Sequence, residues 1–334
     1  MPIKIAINGF GRIGRASFRL AFEDPDLEVV AINDLTESAV LAHLLKYDSV
    51  YGRYRHAVRI EGNSLLVADK KITVFSETDP GNLPWKKLAV DVVLECSGHF
   101  LEKQRAEQHL RAGAKRVILS APAKDKEIPT FVLGVNHKKI DFKNDLIISN
   151  ASCTTNCLAP IIKVLNDSFG LEQGMMTTTH AYTNDQNLVD SPHRDLRRSR
   201  SASLNIIPTT TGATKSVVEV MPELAGKLEG LAVRVPVPVV SLVDFVCVLK
   251  KSAGEKEINA KFKQAATGEL KGILDTAEEN QVSSDFIADP HSAIVDISLT
   301  KVNGHMVKIV AWYDNEYGYT CRYVEIAKYI GQRI

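Results

Sequence analysis

A G-x-G-x-x-G run, Gly9-Phe10-Gly11-Arg12-Ile13-Gly14, follows directly on a short apolar stretch, Ile3-Lys4-Ile5-Ala6-Ile7. After the glycines, Ala16, Phe18, Leu20, Ala21 and Phe22 recur at roughly helical spacing. Glu28-Val29-Val30-Ala31-Ile32 then reads as a second strand, ending at Asn33-Asp34. The glycine pattern alone is weak. Between a strand and a helix, with an acid 20 residues past Gly14, it is specific. The opening is therefore a βαβ unit whose strand-to-helix turn suits a dinucleotide. Gly9 permits the tight turn, Gly11 lets backbone approach a pyrophosphate, and Gly14 lets helix pack on strand. The helix N-terminus supplies N–H groups and positive potential for the phosphates. At Asp34 a carboxylate accepts ribose hydroxyls and repels a 2′-phosphate, which favours NAD over NADP. A strand-end cap is the plainer alternative for the same residue.

Strands and helices go on alternating. Val90–Glu95 reads as a strand, 102–112 as a helix, and Arg116–Ser120 and Leu146–Ile148 as further strands. Arg59–Phe75 reads as two strand-like runs broken at Glu61-Gly62-Asn63. This alternation indicates a doubly wound parallel sheet. After Cys153 the pattern changes. Leu158–Asn166 is apolar and helical despite Pro160, and strands then dominate: 174–181, 231–235, 239–249, 292–300 and 306–313. Their partial alternation indicates a mainly antiparallel sheet, with helices over 255–270 and 319–330. The fold class read from sequence is α/β: a Rossmann-type dinucleotide-binding domain with a second α+β domain. The boundary falls near Ser149.

Just past it, Ser149-Asn150-Ala151-Ser152-Cys153-Thr154-Thr155-Asn156-Cys157 sets a thiol among residues that cap helices. A Cys in the first turn of a helix meets unpaired N–H groups and a favourable dipole, which lower its pKa and make it a nucleophile. An inert, buried Cys is the plainer alternative. Beside a dinucleotide domain, such a thiolate suits covalent oxidation of an aldehyde. Hydride leaves a hemithioacetal, and an oxygen nucleophile takes the resulting acyl group. That chemistry needs a base. His180, among the hydroxyls of Thr177-Thr178-Thr179 and Thr183, has the most suggestive setting of nine histidines, although a structural role is the simpler one. Phosphates would need anion sites. Arg234 is a lone cation in an apolar strand, Ala232-Val233-Arg234-Val235, and calls for an anionic ligand or a salt bridge. Pro208-Thr209-Thr210-Thr211-Gly212 offers hydroxyls and a backbone N–H.

Five cysteines in 334 residues do not form a disulfide framework and indicate a reducing, cytoplasmic compartment. Met1-Pro2-Ile3 runs straight into a strand pattern, which reads as the absence of a signal peptide, and no apolar run suits a membrane span. A net charge of +1 is neutral about nucleic acid. Arg194, Arg197, Arg198 and Arg200 cluster in an irregular stretch, 185–203. Without interleaved aromatics they argue against nucleic acid as the main partner.

Taken together, these motifs resemble those of the phosphorylating glyceraldehyde-3-phosphate dehydrogenases. The likeness runs from Ala6-Ile7-Asn8-Gly9 through Ser149–Cys157, Ala232–Pro236 and Pro290-His291-Ser292 to Trp312-Tyr313-Asp314-Asn315-Glu316. It implies NAD-dependent, reversible oxidation of D-glyceraldehyde 3-phosphate with inorganic phosphate, through a thioester on Cys153 with His180 as base. The resemblance assigns Thr183 and Arg234, with Arg198 nearby, to the sugar phosphate. Ser152, Thr154, Thr211 and Gly212 are assigned to the attacking phosphate. For the dinucleotide it implies Gly9, Gly11, Arg12, Ile13, Gly14, Asp34, Thr78, Ser120 and Asn315. It further implies a homotetramer with the Arg-rich stretch at an interface, and no metal. The domains implied are 1–149 with 316–334, which bind NAD, and 150–315, which is catalytic. Thr78 stands where the family commonly has Arg, Ser97 replaces a usual Thr and Tyr317 a usual Trp; Ser191 is more polar than is usual among NAD-specific members. Erythrose 4-phosphate as substrate, redox sensing through the thiol and RNA binding are the alternatives.

Overall fold

The computed structural model describes residues 1–334, which divide into two compact units. One comprises Met1–Phe131, Lys139–Ala151 and Thr320–Ile334, the other Val132–Lys138 and Ser152–Tyr319.

The first unit carries strands β1 (Ile3–Asn8), β2 (Leu27–Asn33), β3 (Tyr47–Asp48), β4 (Gly52–Arg53), β5 (Val58–Glu61), β6 (Ser64–Val67), β7 (Lys70–Phe75), β8 (Val92–Glu95), β9 (Arg116–Leu119) and β10 (Ile147–Ser149). Its helices are α1 (Arg12–Glu23), α2 (Ser38–Lys46), α3 (Trp85–Leu88) and α4 (Lys103–Arg111). Eight of the strands form one sheet in the order β10-β9-β8-β1-β2-β7-β6-β5. From β10 to β7 the neighbours are parallel, and β7-β6-β5 forms an antiparallel edge. Parallel strands need covering on both faces, and their sequences are accordingly apolar: β8 is buried throughout. From β1 the chain goes to β2 on one side and later to β8 on the other. This reversal of strand order opens a crevice at the carboxyl ends of β1 and β8.

The stretch read as two strands over 59–75 contains three. Ala68 and Asp69 have φ of 44° and 68°, and β6 turns into β7 through this two-residue hairpin. Alanine gives no warning of a left-handed turn, so the break was hidden in sequence.

The second unit contains α5 (Cys153–Phe169), β11 (Leu171–Ala181), β12 (Ile207–Thr209), α6 (Ala213–Val220), β13 (Leu228–Val235), β14 (Ser241–Leu249), α7 (Glu255–Thr267), β15 (Leu274–Ala277), β16 (Ala293–Asp296), β17 (Lys301–Asn303) and β18 (Met306–Tyr313). Its sheet runs β12-β13-β11-β14-β18-β16-β15, with β17 on β18. It is mainly antiparallel, as the sequence pattern indicates, but β11 pairs in parallel with β13 and β15 with β16. Pro160 lies inside α5 without ending it. The stretch from 185 to 203 holds neither helix nor strand.

The last helix, α8 (Tyr317–Gly331), belongs from Thr320 onward to the first unit. There the buried Tyr323 hydroxyl donates to the Ile118 carbonyl at 2.6 Å, and Lys328 pairs with Asp24 at 2.8 Å. No helix is long and apolar enough to cross a membrane.

Candidate active site

The first unit holds a cleft of about 450 Å³ at the carboxyl ends of its strands, lined among others by Gly9, Gly11, Asp34, Thr78 and Ser97. The glycines there have distinct reasons. A Cβ on Gly9 would lie 2.5 Å from the Ser97 nitrogen, and one on Gly14 would lie 2.1 Å from the Gly9 carbonyl oxygen. A Cβ on Gly11 would meet nothing within 4 Å, so its absence opens the cleft rather than relieving the fold. Gly11 is the N-cap of α1 and offers no side-chain cap, which leaves the first N–H groups of the helix for an anion. These residues fit a dinucleotide.

Arg12 and Ile13 open α1. The Arg12 guanidinium is held by Asp48 at 2.5 Å and lies over the Tyr51 ring. Asp34 accepts from the Phe10 N–H at 2.7 Å and the Thr36 N–H at 2.9 Å. It therefore caps the strand end, and each oxygen keeps a further lone pair. Ser120 follows β9, its N–H bonded to the Glu95 carbonyl at 3.0 Å.

In the second unit, Ser152 is the N-cap of α5. Its Oγ accepts from the Thr155 N–H at 3.1 Å, a contact that stabilises a helix by about 1 kcal/mol. Cys153 is thus the first helical residue, as its neighbours indicate. Strand β11 alternates so that Met176, Thr178 and His180 are buried on one face. The parallel register of β11 on β13 sets His180 opposite Arg234. The result is a compact group: Cys153 Sγ lies 3.4 Å from His180 Nε2, and Arg234 Nη1 lies 2.9 Å from His180 Nδ1. Arg234 also donates to the Ala181 carbonyl at 3.0 Å and reaches Thr183 Oγ1 at 3.5 Å.

His180 Nδ1 lies 2.7 Å from the Ala181 carbonyl oxygen, an acceptor, and 2.9 Å from Arg234 Nη1, a donor, so these two contacts favour opposite tautomers. With the hydrogen on Nδ1, Nε2 is a lone-pair acceptor facing the thiol. Burial, reinforced by the Arg234 charge, pushes His180 down to about 3. Burial likewise pushes the Cys153 thiol up, against Arg234 and the backbone N–H groups of Thr154 and Cys153, which pull it down. The lowering expected from the helix N-terminus is outweighed by desolvation. Each group alone is therefore neutral. A proton passed from Sγ to Nε2 creates both charges at 3.4 Å, and each then offsets the burial of the other.

Arg234 has no carboxylate within ion-pair distance, and its Nε is buried without a partner. No salt bridge within the chain accounts for this cation, which lies beside Thr183. Arg198 differs. It is paired to Asp185, lies 3.6 Å from Asp195 and donates to Thr209 Oγ1 at 3.1 Å. Arg200 is paired to Asp190 at 2.9 Å, so carboxylates of the same stretch neutralise half of the basic cluster. Thr154 is buried, with its hydroxyl 2.9 Å from the Tyr313 hydroxyl. Thr211 and Gly212 precede α6, which packs on α5. Gly212 caps α6 without a side chain.

Three residues carry weight that the sequence did not reveal. The Tyr313 hydroxyl bridges Thr154 and Thr178, both at 2.9 Å, and ties the first turn of α5 to β11. Ser241 Oγ accepts from the Ala181 N–H at 3.1 Å, so its own hydrogen goes to Asn315 Oδ1 at 3.0 Å. That fixes which way the Asn315 amide faces and leaves its NH₂ to donate elsewhere. Glu95, buried at the end of β8, is the third. Ser241 has no local signal, because its partner is 74 residues away.

The family model described as the glyceraldehyde 3-phosphate dehydrogenase NAD-binding domain matches residues 3–103, and the one for the C-terminal domain matches residues 152–315. The glyceraldehyde-3-phosphate dehydrogenase of Geobacillus stearothermophilus is 55% identical over 334 residues, covering 100% of this chain and 99% of the relative. Glyceraldehyde-3-phosphate dehydrogenase 1 of Bacillus subtilis (strain 168) is 54% identical with the same coverage. That of Streptomyces coelicolor is 52% identical over 337 residues, with both chains covered completely. Identity of this extent runs through both units, and the chain belongs to the glyceraldehyde-3-phosphate dehydrogenase family.

Proposed function

We propose that this chain catalyses the reversible NAD-dependent oxidation and phosphorylation of D-glyceraldehyde 3-phosphate to 1,3-bisphosphoglycerate, through a thioester on Cys153. The observation that carries this reading is the Cys153–His180 pair, 3.4 Å apart at a helix N-terminus with an unpaired Arg234 beside it. Thiol, base and anion site are the parts that covalent oxidation of a phosphorylated aldehyde requires.

In the proposed sequence, Arg234 and Thr183 hold the phosphate of the aldehyde. That anion offsets the Arg234 charge and so restores basicity to His180, whose depression the charge reinforces. Sγ bonds to the aldehyde carbon as His180 takes the thiol proton. The carbonyl oxygen becomes the hemithioacetal hydroxyl. The hydroxyl proton returns through His180, and the dinucleotide, when bound, supplies the oxidising power by accepting the hydride from that carbon. Inorganic phosphate, held by Ser152, the Thr154 N–H, Thr211 and Gly212, then attacks the thioester; the C–S bond breaks and the thiol reforms. Gly9, Gly11, Arg12, Ile13, Gly14, Asp34, Thr78 and Ser120 hold the dinucleotide, and Asn315 donates to its carboxamide. Arg198 acts from the neighbourhood by its charge rather than as a direct ligand, since Asp185 and Asp195 occupy it.

The division of labour proposed is 1–149 with 316–334 for NAD and 150–315 for chemistry. A homotetramer is proposed as well: Leu188, Val189, Leu196, Leu204 and Ile206 stand 69–82% exposed around the irregular stretch, which supports a subunit interface there. Five free cysteines support a cytoplasmic setting.

The test is absorbance in the NADH band after mixing the protein with NAD, D-glyceraldehyde 3-phosphate and phosphate. Sustained turnover that stops when phosphate is omitted is expected; turnover indifferent to phosphate contradicts the reading. Erythrose 4-phosphate at equal concentration is expected to react more slowly. Because of the Asp34 carboxylate, kcat/KM with NAD is expected to exceed that with NADP by about tenfold or more, and a ratio near one overturns the cofactor assignment. Ser241→Ala frees the Asn315 amide to rotate. It is expected to raise KM for NAD about fivefold while Cys153 alkylation proceeds at the wild-type rate; an unchanged KM removes Ser241 from the account.

A further inference from the structure

We infer that Glu95 is a positioning residue for the dinucleotide: its buried carboxylate aligns the cleft walls through a chain of hydrogen bonds running across four strand ends. The inference rests on the reading of that cleft as the NAD site.

Glu95 is fully buried as the last residue of β8, at the strand-order reversal beside β1. No Lys or Arg lies within ion-pair distance of it. Four donors converge on it instead. Asn8 Nδ2 donates to Oε2 at 2.5 Å, and His109 Nε2 lies 3.1 Å from the same oxygen. The Ser97 N–H donates to Oε1 at 2.8 Å and the Ser97 hydroxyl at 2.5 Å. Such a set suits a charged carboxylate.

Every direction in the chain is determined. The Trp85 indole N–H only donates, and it lies 3.1 Å from His109 Nδ1. His109 Nδ1 is therefore an acceptor, and its hydrogen sits on Nε2, toward Glu95. On the other side, Asn8 Oδ1 accepts from Asn33 Nδ2 at 2.7 Å, so the Asn8 amide cannot flip. Asn33 Oδ1 in turn accepts from the Glu77 N–H at 2.8 Å, and Asn33 Nδ2 also reaches the Glu77 carbonyl at 3.0 Å. The path thus crosses the ends of β8, β1, β2 and β7. Asn8, Asn33, Glu77 and Ser97 all line the cleft. The Gly9 turn leans directly on Ser97, 2.5 Å from where a Cβ would stand. Moving Ser97 or Asn8 therefore moves the phosphate turn. An apolar residue would join β8 to β1 without this burden of desolvation, so the polar chain has its use at the cleft.

Glu95→Gln sets an NH₂ against the donors of Asn8 and His109. In the full-length protein, Kd for NAD, measured by direct titration, is expected to rise by about tenfold or more. Alkylation of Cys153 without NAD stays at the wild-type rate. Asn8→Asp alone sets two carboxylates together and is also expected to weaken binding. The double variant pairs the new NH₂ with the new carboxylate, and is expected to bind NAD more tightly than either single variant. His109 does not line the cleft, so it supplies an independent arm. His109→Leu is expected to weaken NAD binding, and His109→Gln, which keeps a donor for Glu95 and an acceptor for Trp85, to restore it. Wild-type Kd in Glu95→Gln, or equal Kd in His109→Leu and His109→Gln, overturns the proposal. If Glu95→Gln does not fold, the His109 pair decides. Failure of the wild-type protein to bind NAD would instead overturn the cofactor reading.

Discussion

Cys153→Ser is expected to abolish phosphate-dependent NADH formation, with turnover falling by about 10⁴-fold or more. The serine hydroxyl occupies the same first helical turn and faces the same His180 Nε2, so geometry is nearly conserved. What is lost is acidity. His180 is pushed down to about 3 by burial and by Arg234. A base that weak draws a proton from a thiol only because sulfur carries the resulting charge well; an alcohol does not. The other thiol of the motif gives no rescue. Cys157 is fully buried, and burial together with the neighbouring Cys153 pushes it well above its ordinary value. One equivalent of iodoacetamide is accordingly expected on Cys153, read by peptide mass spectrometry. Circular dichroism of the serine variant checks that folding is intact. Turnover within tenfold of wild type would refute the nucleophile assignment.

His180→Asn is expected to have the second largest effect, lowering kcat by about 10²–10⁴-fold. The sign of its pH dependence follows from burial. Desolvation raises the Cys153 thiol, and protonated His180 is the charge that offsets this when the proton crosses the 3.4 Å contact. Without the imidazole, the thiolate appears only at higher pH. Iodoacetamide labelling of the variant is expected to be about tenfold slower or more at pH 7, with the difference shrinking as pH rises toward 10. Profiles that superimpose across that range would show that the two residues are not coupled.

Much of this molecule was legible because its signals are local. The glycines, the acid at Asp34 and the capping residues before Cys153 each state a backbone requirement within a few positions. The Rossmann-type order followed from strand and helix alternation. Signals that depend on distant partners were not legible. Ala68 and Asp69 split a strand with no glycine or proline to mark it. The parallel register that sets Arg234 opposite His180 joins residues 54 apart, and residue periodicity carries no information on pairing direction. Arg234 is legible as a lone charge in an apolar strand. Glu95, which ends Val92-Val93-Leu94, carries the same local signal, whereas its partners do not. The contact of the Thr154 hydroxyl with Tyr313, 159 residues away, is likewise invisible in sequence.

The central claim is that Cys153 carries the acyl group between oxidation and phosphate attack. Rapid mixing of the protein with NAD and D-glyceraldehyde 3-phosphate, phosphate omitted, tests it directly. A burst of about one NADH per chain is expected, after which turnover stops. Acid quenching at the plateau should show the acyl group on the peptide bearing Cys153, and added phosphate should release it and restart NADH formation. A burst without an adduct on Cys153, or an adduct that phosphate does not discharge, would contradict the account.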